Sequence, residues 1–273
     1  MTWWAIDVRT TPERREWVGA WLVARTGHAV EERDDGSLVT FAADEVEAER
    51  LEVALAAQAP VETERRELDS VDWSTRWREG LGPCRIGRLT LAPSWAVVEE
   101  RGPLVVIDPE TAFGSGEHGS TRGALALLER HLRPGDRVLD LGSGSGLVAI
   151  AAAVLGAARA AGVEMDAESN EVAGRNAERN GVADRVTFLD GDAAHLAPLL
   201  GPCELVVSNI LRSVNTRLLP AIAAALAPGG LAVFAGMEVA EAEIFRPVLV
   251  RAGFTPVDEI EDAGWWAVAA RPG

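Results

Sequence analysis

Residues 137–152 read RVLDLGSGSGLVAIAA. Arg137 to Leu141 form a short apolar run bounded by glycines, the pattern of a buried strand. Gly142 to Gly146 make a glycine-rich turn, and the apolar residues that follow continue as a helix. Such a strand-to-helix turn lets a ligand approach the backbone and offers it the free amides of a helix N-terminus. Glycine serves turn geometry alone in many proteins, so the turn needs support from its neighbours. Asp140 closes the strand. The next strand, AAGVE, ends in Glu164 roughly 20 residues on, where a carboxylate accepts hydrogen bonds from ribose hydroxyls. The sequence DGD at 190–192 follows a third strand, so Asp192 is placed to meet an adenine amino group. A dinucleotide fingerprint starting at Gly142 needs glycine at position 147, which is Leu147, and the nicotinamide reading weakens accordingly. Asp140, Gly142, Gly144, Glu164 and Asp192 are the candidate nucleotide contacts.

Outward from this turn the chain alternates. Helices are expected at 121–132, 146–155, 167–180, 215–226 and 239–252. Strands are expected at 137–141, 159–164, 185–189, 203–208 and 230–235. A closing hairpin is expected in VDEIEDAGWWAVAA. This order implies a Rossmann-like, doubly wound, mostly parallel α/β sheet. Upstream, a strand at 3–8, a helix opened by Thr11 and Pro12, a hairpin around Asp34-Asp35-Gly36 and a helix at 44–58 make a small α+β, ferredoxin-like unit. The helix at 44–58 places Val46, Leu51, Val53 and Leu55 as its apolar set. The expected division is a small domain at 1–62, a charged and partly helical linker at 63–84, and the main domain at 85–273.

The chain has 273 residues and a formal charge of −16. Its basic residues are all arginine; lysine and tyrosine are absent. An acidic surface repels phosphate and disfavours direct nucleic-acid binding, while it steers a basic partner inward. Cys84 and Cys203 lack metal-ligand spacing and suit a reducing compartment. The N-terminus lacks a signal-peptide pattern and no run of about 18 apolar residues occurs. A cytoplasmic monomer with no membrane attachment and no bound metal is the expectation.

Upstream of the glycine turn lies IDPETAFGSGEHGSTRGALALLE, 107–129. Its glycines permit a tight loop able to fold over a ligand, and Thr121 is placed either to cap the next helix or to touch the ligand. DLGSGSGLVAIAA followed by GVEMD resembles the first two motifs of class I S-adenosylmethionine-dependent methyltransferases. FGSGEHGST at 113–121 is similar to the F-G-T-G-x-H-x-T-T loop of the methyltransferases that modify ribosomal protein eleven of the large subunit (PrmA). SNIL at 208–211 and the VDWSTRWREG linker at 71–80 resemble further segments of that family. Ser115 and Ser120 stand where threonine is usual, Ser143 where cysteine is common and Glu164 where aspartate is common.

The resemblance implies cofactor contacts from Thr121, Gly142, Glu164 and Asn209, and a substrate-recognition role for the small N-terminal domain. It implies transfer of methyl groups to amino groups, lysine side chains or an N-terminal amine, of a basic large-subunit ribosomal protein. Asn209 is expected to orient the amine through carbonyl oxygens, and Phe113 to wall the transfer channel. The alternative is a methyltransferase of the same fold acting on another protein or a small molecule.

Overall fold

The computed structural model describes residues 4–26, 30–32, 36–67, 82–98, 102–108, 116 and 118–273. The chain divides into two compact units, Met1–Glu79 and Gly80–Gly273.

The first unit runs β1 (Trp4–Arg9), α1 (Pro12–Thr26), β2 (Glu31–Glu32), β3 (Leu38–Ala42), α2 (Glu45–Ala56) and β4 (Glu62–Glu67). Its sheet has the order β2-β3-β1-β4, with every pair antiparallel, which is the ferredoxin-like arrangement. Asp44 starts α2 by accepting the amide of Glu47 at 2.8 Å, as an N-cap aspartate does. The buried stripe of α2 is Ala48, Leu51 and Leu55, spaced for one helical face. Val46 and Val53, expected on that face, are exposed instead, because neither falls on the three-four spacing of the stripe. Ile6, Val8, Val18, Leu22 and Leu38 complete this core.

The expected boundary at 62 falls one strand short. Residues 63–67, expected in the partly helical linker, form a strand together with Glu62 and pair with β1 from Arg9↔Glu62 to Trp4↔Glu67. The segment ETERRE carries no apolar residue to betray a strand. It is held by the backbone ladder and by ion pairs from Arg65 to Glu52 and from Arg66 to Asp7. The remainder of the expected linker to residue 81 lies outside the described residues.

The second unit begins with β5 (Cys84–Ile86), β6 (Leu89–Ala92) and β7 (Leu104–Val106), a small three-stranded sheet. It continues α3 (Gly119–His131), β8 (Arg137–Leu141), α4 (Leu147–Val154), β9 (Arg159–Glu164), α5 (Ala167–Arg179), β10 (Val186–Asp190), α6 (Ala193–Leu200), β11 (Cys203–Asn209), α7 (Arg212–Ala225), β12 (Leu226–Glu238), α8 (Ala242–Arg251), β13 (Phe254–Asp262) and β14 (Trp265–Pro272). Helix α6 was not foreseen: AAHLAPLL is short and carries Pro198 inside it, which hides a helical pattern.

The seven-stranded sheet has the order β10-β9-β8-β11-β12-β14-β13. Its first five strands are parallel, and β14 lies antiparallel between β12 and β13. Alternate residues of β11 enter opposite cores. Leu205 and Val207 pack on the face with Leu125, Leu128 and Ile150, while Val206 packs on the face with Leu218, Ile222 and Phe245. Strand order reverses between β8 and β11, and a crevice at such a switch point is where doubly wound sheets hold ligands. Among the described residues no helix is long and apolar enough to cross a membrane.

Candidate active site

The carboxyl ends of β8 to β12 open into a cavity of about 520 Å3, within the range of small-molecule and cofactor sites. Gly142, Gly144, Glu164, Met165, Asp192 and Ala193 line it from the β8–β9–β10 side. Asn209, Ile210, Leu211, Gly236, Trp265 and His118 line it from the other.

The glycine turn is built for close approach. Gly142 has φ +72°, and a Cβ there would fall 2.5 Å from Ile210 Cγ2. Its amide donates to Val163 O at 2.8 Å, locking the turn to the neighbouring strand. Glu164 sits one strand over. Its Oε2 accepts the Gly144 amide at 3.1 Å, and its Oε1 accepts the amides of Met165 at 2.7 Å and Asp166 at 3.2 Å. Oε2 therefore keeps capacity for a further donor from the cavity. Asp192 lines the wall while its Oδ1 caps α6 through the Ala194 amide at 2.9 Å.

Two of the nucleotide candidates stand behind the wall. Asp140 is buried and accepts the Ala149 amide at 3.2 Å, so it holds the first turn of α4. Burial pushes its pKa up to about 7, opposed by that amide and assisted by the charge of Glu164. Thr121 is also buried. It does not cap α3, whose N-cap residue is His118 with no side-chain cap bond. Its Oγ1 instead accepts from Asn209 Nδ2 at 3.3 Å. Phe113 lies outside the described residues.

Asn209 ends β11 in register with Ala235. With its amide nitrogen turned to Thr121, its Oδ1 is buried with no hydrogen-bond partner, an arrangement that folding alone disfavours. The wall around it was only partly visible in the sequence. His118 stacks on Trp265 with ring centroids 4.2 Å apart, and its Nδ1 lies 2.8 Å from Ser120 Oγ. Ile210 comes with the SNIL segment, whereas Trp265, Gly236 and the exposed Arg217 join the site only through tertiary packing. A local rule sorts the tryptophan pair in the closing hairpin. Trp266 is buried in the core while its neighbour Trp265 turns to the cavity, as strand alternation requires.

The strand order, the antiparallel strand inserted next to the edge, the glycine turn after β8 and the carboxylate ending β9 together define a class I S-adenosylmethionine-dependent methyltransferase. The residues present fit that cofactor: a glycine turn that admits a ligand against backbone, a carboxylate with a spare lone pair, and an orphaned carbonyl oxygen beyond them. Comparison with known proteins then narrows the class. A family model described as "Ribosomal protein L11 methyltransferase (PrmA)" matches residues 24–272, and the chain belongs to that family. A ribosomal protein L11 methyltransferase of Pelotomaculum thermopropionicum is 42% identical over 209 residues, covering 76% of this chain and 67% of the relative. One from Thermus thermophilus is 40% identical over 210 residues, covering 77% and 81%. The crystal structure of a ribosomal protein L11 methylase from Lactobacillus delbrueckii subsp. bulgaricus superposes with a TM-score of 0.64 at 26% identity, covering 70% of this chain and 98% of that one.

Proposed function

We propose that this enzyme methylates amino groups of ribosomal protein L11 at the cavity between the glycine turn and Asn209. The observation that carries the reading is Asn209 in the cavity wall, opposite the glycine turn, with an Oδ1 that has no hydrogen-bond partner.

S-adenosylmethionine supplies a methyl group already activated on a sulfonium, so the protein's task is to position two reactants and exclude water. Glu164 Oε2 would accept a ribose hydroxyl, the backbone at Gly142 and Gly144 would let the cofactor approach closely, and Asp192 would meet the adenine amino group. A lysine ammonium must first lose a proton, which at pH 7 costs about 4–5 kcal/mol from a pKa near 10.4. The apolar wall of Ile210, Leu211 and Trp265 favours the neutral amine by desolvation. Asn209 Oδ1 accepts one amine N–H and aims the nitrogen lone pair at the methyl carbon. Asp140 and Thr121 act from behind, the first on α4 and the second on the Asn209 amide.

The chain's charge of −16 suits capture of a basic protein in the cytoplasm and opposes an RNA phosphate surface. The first unit holds none of the cavity's lining residues and has its own core, which supports a substrate-capturing role. Incubation with methyl-labelled S-adenosylmethionine and purified L11 is expected to label L11. Label confined to small molecules would sink the reading. Removal of residues 1–79, rather than 1–62 because β4 belongs to the first sheet, is expected to abolish L11 labelling while leaving cofactor affinity within about threefold. L11 labelling by the soluble truncation would refute the capture role.

A further inference from the structure

Asn215 lies in the first turns of α7, fully buried, among neighbours that are apolar: Leu218, Leu219 and Ile222. A buried amide at a helix position that could hold leucine is unfavourable unless both its ends are satisfied. Here only one end is. Nδ2 donates to Ile210 O at 2.9 Å and to Ala235 O at 3.0 Å, while Oδ1 has no hydrogen-bond partner. The orientation of the amide follows from chemistry, since two carbonyl oxygens require a donor between them.

Those two carbonyls flank the active-site wall. Ile210 follows Asn209 directly, and Ala235 is the sheet partner of Asn209 across β11 and β12. The Ile210 amide donates to Ala235 O at 3.2 Å. Gly236, at φ +82°, passes so close that a Cβ there would fall 2.4 Å from Ile210 O. The ends of β11 and β12 are thus knotted at one point, and Asn215 is the side chain that ties it. The Asn209 side chain is held from its other side by the 3.3 Å bond to Thr121.

We propose that Asn215 is a positioning residue for methyl transfer, holding the Asn209–Ile210 backbone so that the Asn209 carbonyl oxygen meets the amine. This rests on the reading of Asn209 as the amine-orienting residue. Asn215 is not among the residues that line the cavity and its side chain bonds to the backbone carbonyls of Ile210 and Ala235, so its loss should act on turnover far more than on cofactor affinity.

The test uses the full-length enzyme with L11 and four measurements on Asn215→Ala, Asn209→Ala and the double variant: kcat, KM for L11, cofactor affinity by calorimetry, and Tm. Asn215→Ala is expected to lower kcat by tenfold or more with cofactor affinity within twofold. The double variant is expected to be no slower than Asn209→Ala, because one residue acts through the other. Unchanged kcat in Asn215→Ala overturns the proposal, and so does a double variant whose losses multiply, the signature of a merely structural role. If Asn209→Ala keeps full activity, the Asn209 reading fails and this proposal with it. If Asn209→Ala is slow while Asn215→Ala is not, this proposal alone fails. Should Asn215→Ala not fold, Asn215→Ser, which keeps one donor in a smaller side chain, replaces it. An intermediate kcat then supports the proposal and a full kcat overturns it.

Discussion

The two halves of the cavity are made in different ways. On the β8–β9–β10 side the chain supplies the site from short stretches of itself. Glu164 is braced by the amides of Met165 and Asp166 next to it, and Asp192 by that of Ala194. The carboxylates there are met by near neighbours before any ligand is considered, while Ser143 Oγ in the turn and Asn170 Oδ1 have no partner. On the β11–β12–β14 side the same wall is assembled from distant pieces. Asn209 leans on Thr121, 88 residues away in sequence, and His118 on Trp265. Buried acceptors without partners gather there: Oγ of Ser208 and Oδ1 of both Asn209 and Asn215. On the proposed assignment the first side holds the cofactor and the second the amine, with Asn209 Oδ1 left without a partner and the backbone beside it tied down by Asn215.

The contrast breaks most severely at Gly236. Gly236→Ala forces a non-glycine residue into the left-handed region and drives a Cβ to 2.4 Å from Ile210 O. The left-handed conformation alone costs about 1–2 kcal/mol, and the displaced backbone adds to it. A Tm fall of several degrees with a loss of kcat of a hundredfold or more is expected. Near-parental kcat would show that the acceptor wall tolerates movement.

Asn209→Ala comes next. Removing the orienting carbonyl is expected to cut kcat about a hundredfold, the scale of a misaligned reactant. Tm should move little, because the side chain makes one long hydrogen bond and leaves one polar atom unsatisfied. A variant that fails to fold would place Asn209 with the braced half rather than the open one.

Glu164→Ala should behave in the opposite way. Calorimetry is expected to show cofactor binding weakened by about 1.5–3 kcal/mol, the scale of charged hydrogen bonds. Tm should drop too, since three backbone amides lose their acceptor. Unchanged affinity would end its assignment to the ribose.

The smallest effect on turnover belongs to Asp140, whose role is in stability. Its pKa rises from 3.8 to about 7 on burial. Between those values the folded protein keeps a proton that the unfolded chain has released. Stability therefore falls as pH rises from about 4 to about 7 and levels off above. Asp140→Asn removes that contribution, and its Tm should decline less steeply over the same range. A profile parallel to that of the parent enzyme would show that the carboxylate is already ionised at low pH.

Much of this was open to a reader of the sequence. The glycine turn, Glu164 and the strand–helix alternation follow from local rules, because a turn followed by a helix N-terminus and a carboxylate at a strand end are decided within a few residues. The failures have one cause. β4 is a strand without apolar residues, stabilised by β1 across some 50 residues of chain, and only its partner reveals it. Val46 and Val53 were apolar yet exposed, since apolarity does not say which face meets a core. Asp140 and Thr121 are expected as cofactor contacts, yet both are buried and neither is among the residues that line the cavity, since depth within a sheet is not written in a motif.

By itself, then, the sequence determined the side built on the glycine turn and Glu164, whose carboxylates are met by neighbours in the chain. Only the tertiary structure decided the side around Asn209. There Thr121, Asn215, Gly236 and Trp265 come to one wall from four different elements, because packing, not a local pattern, brings them together.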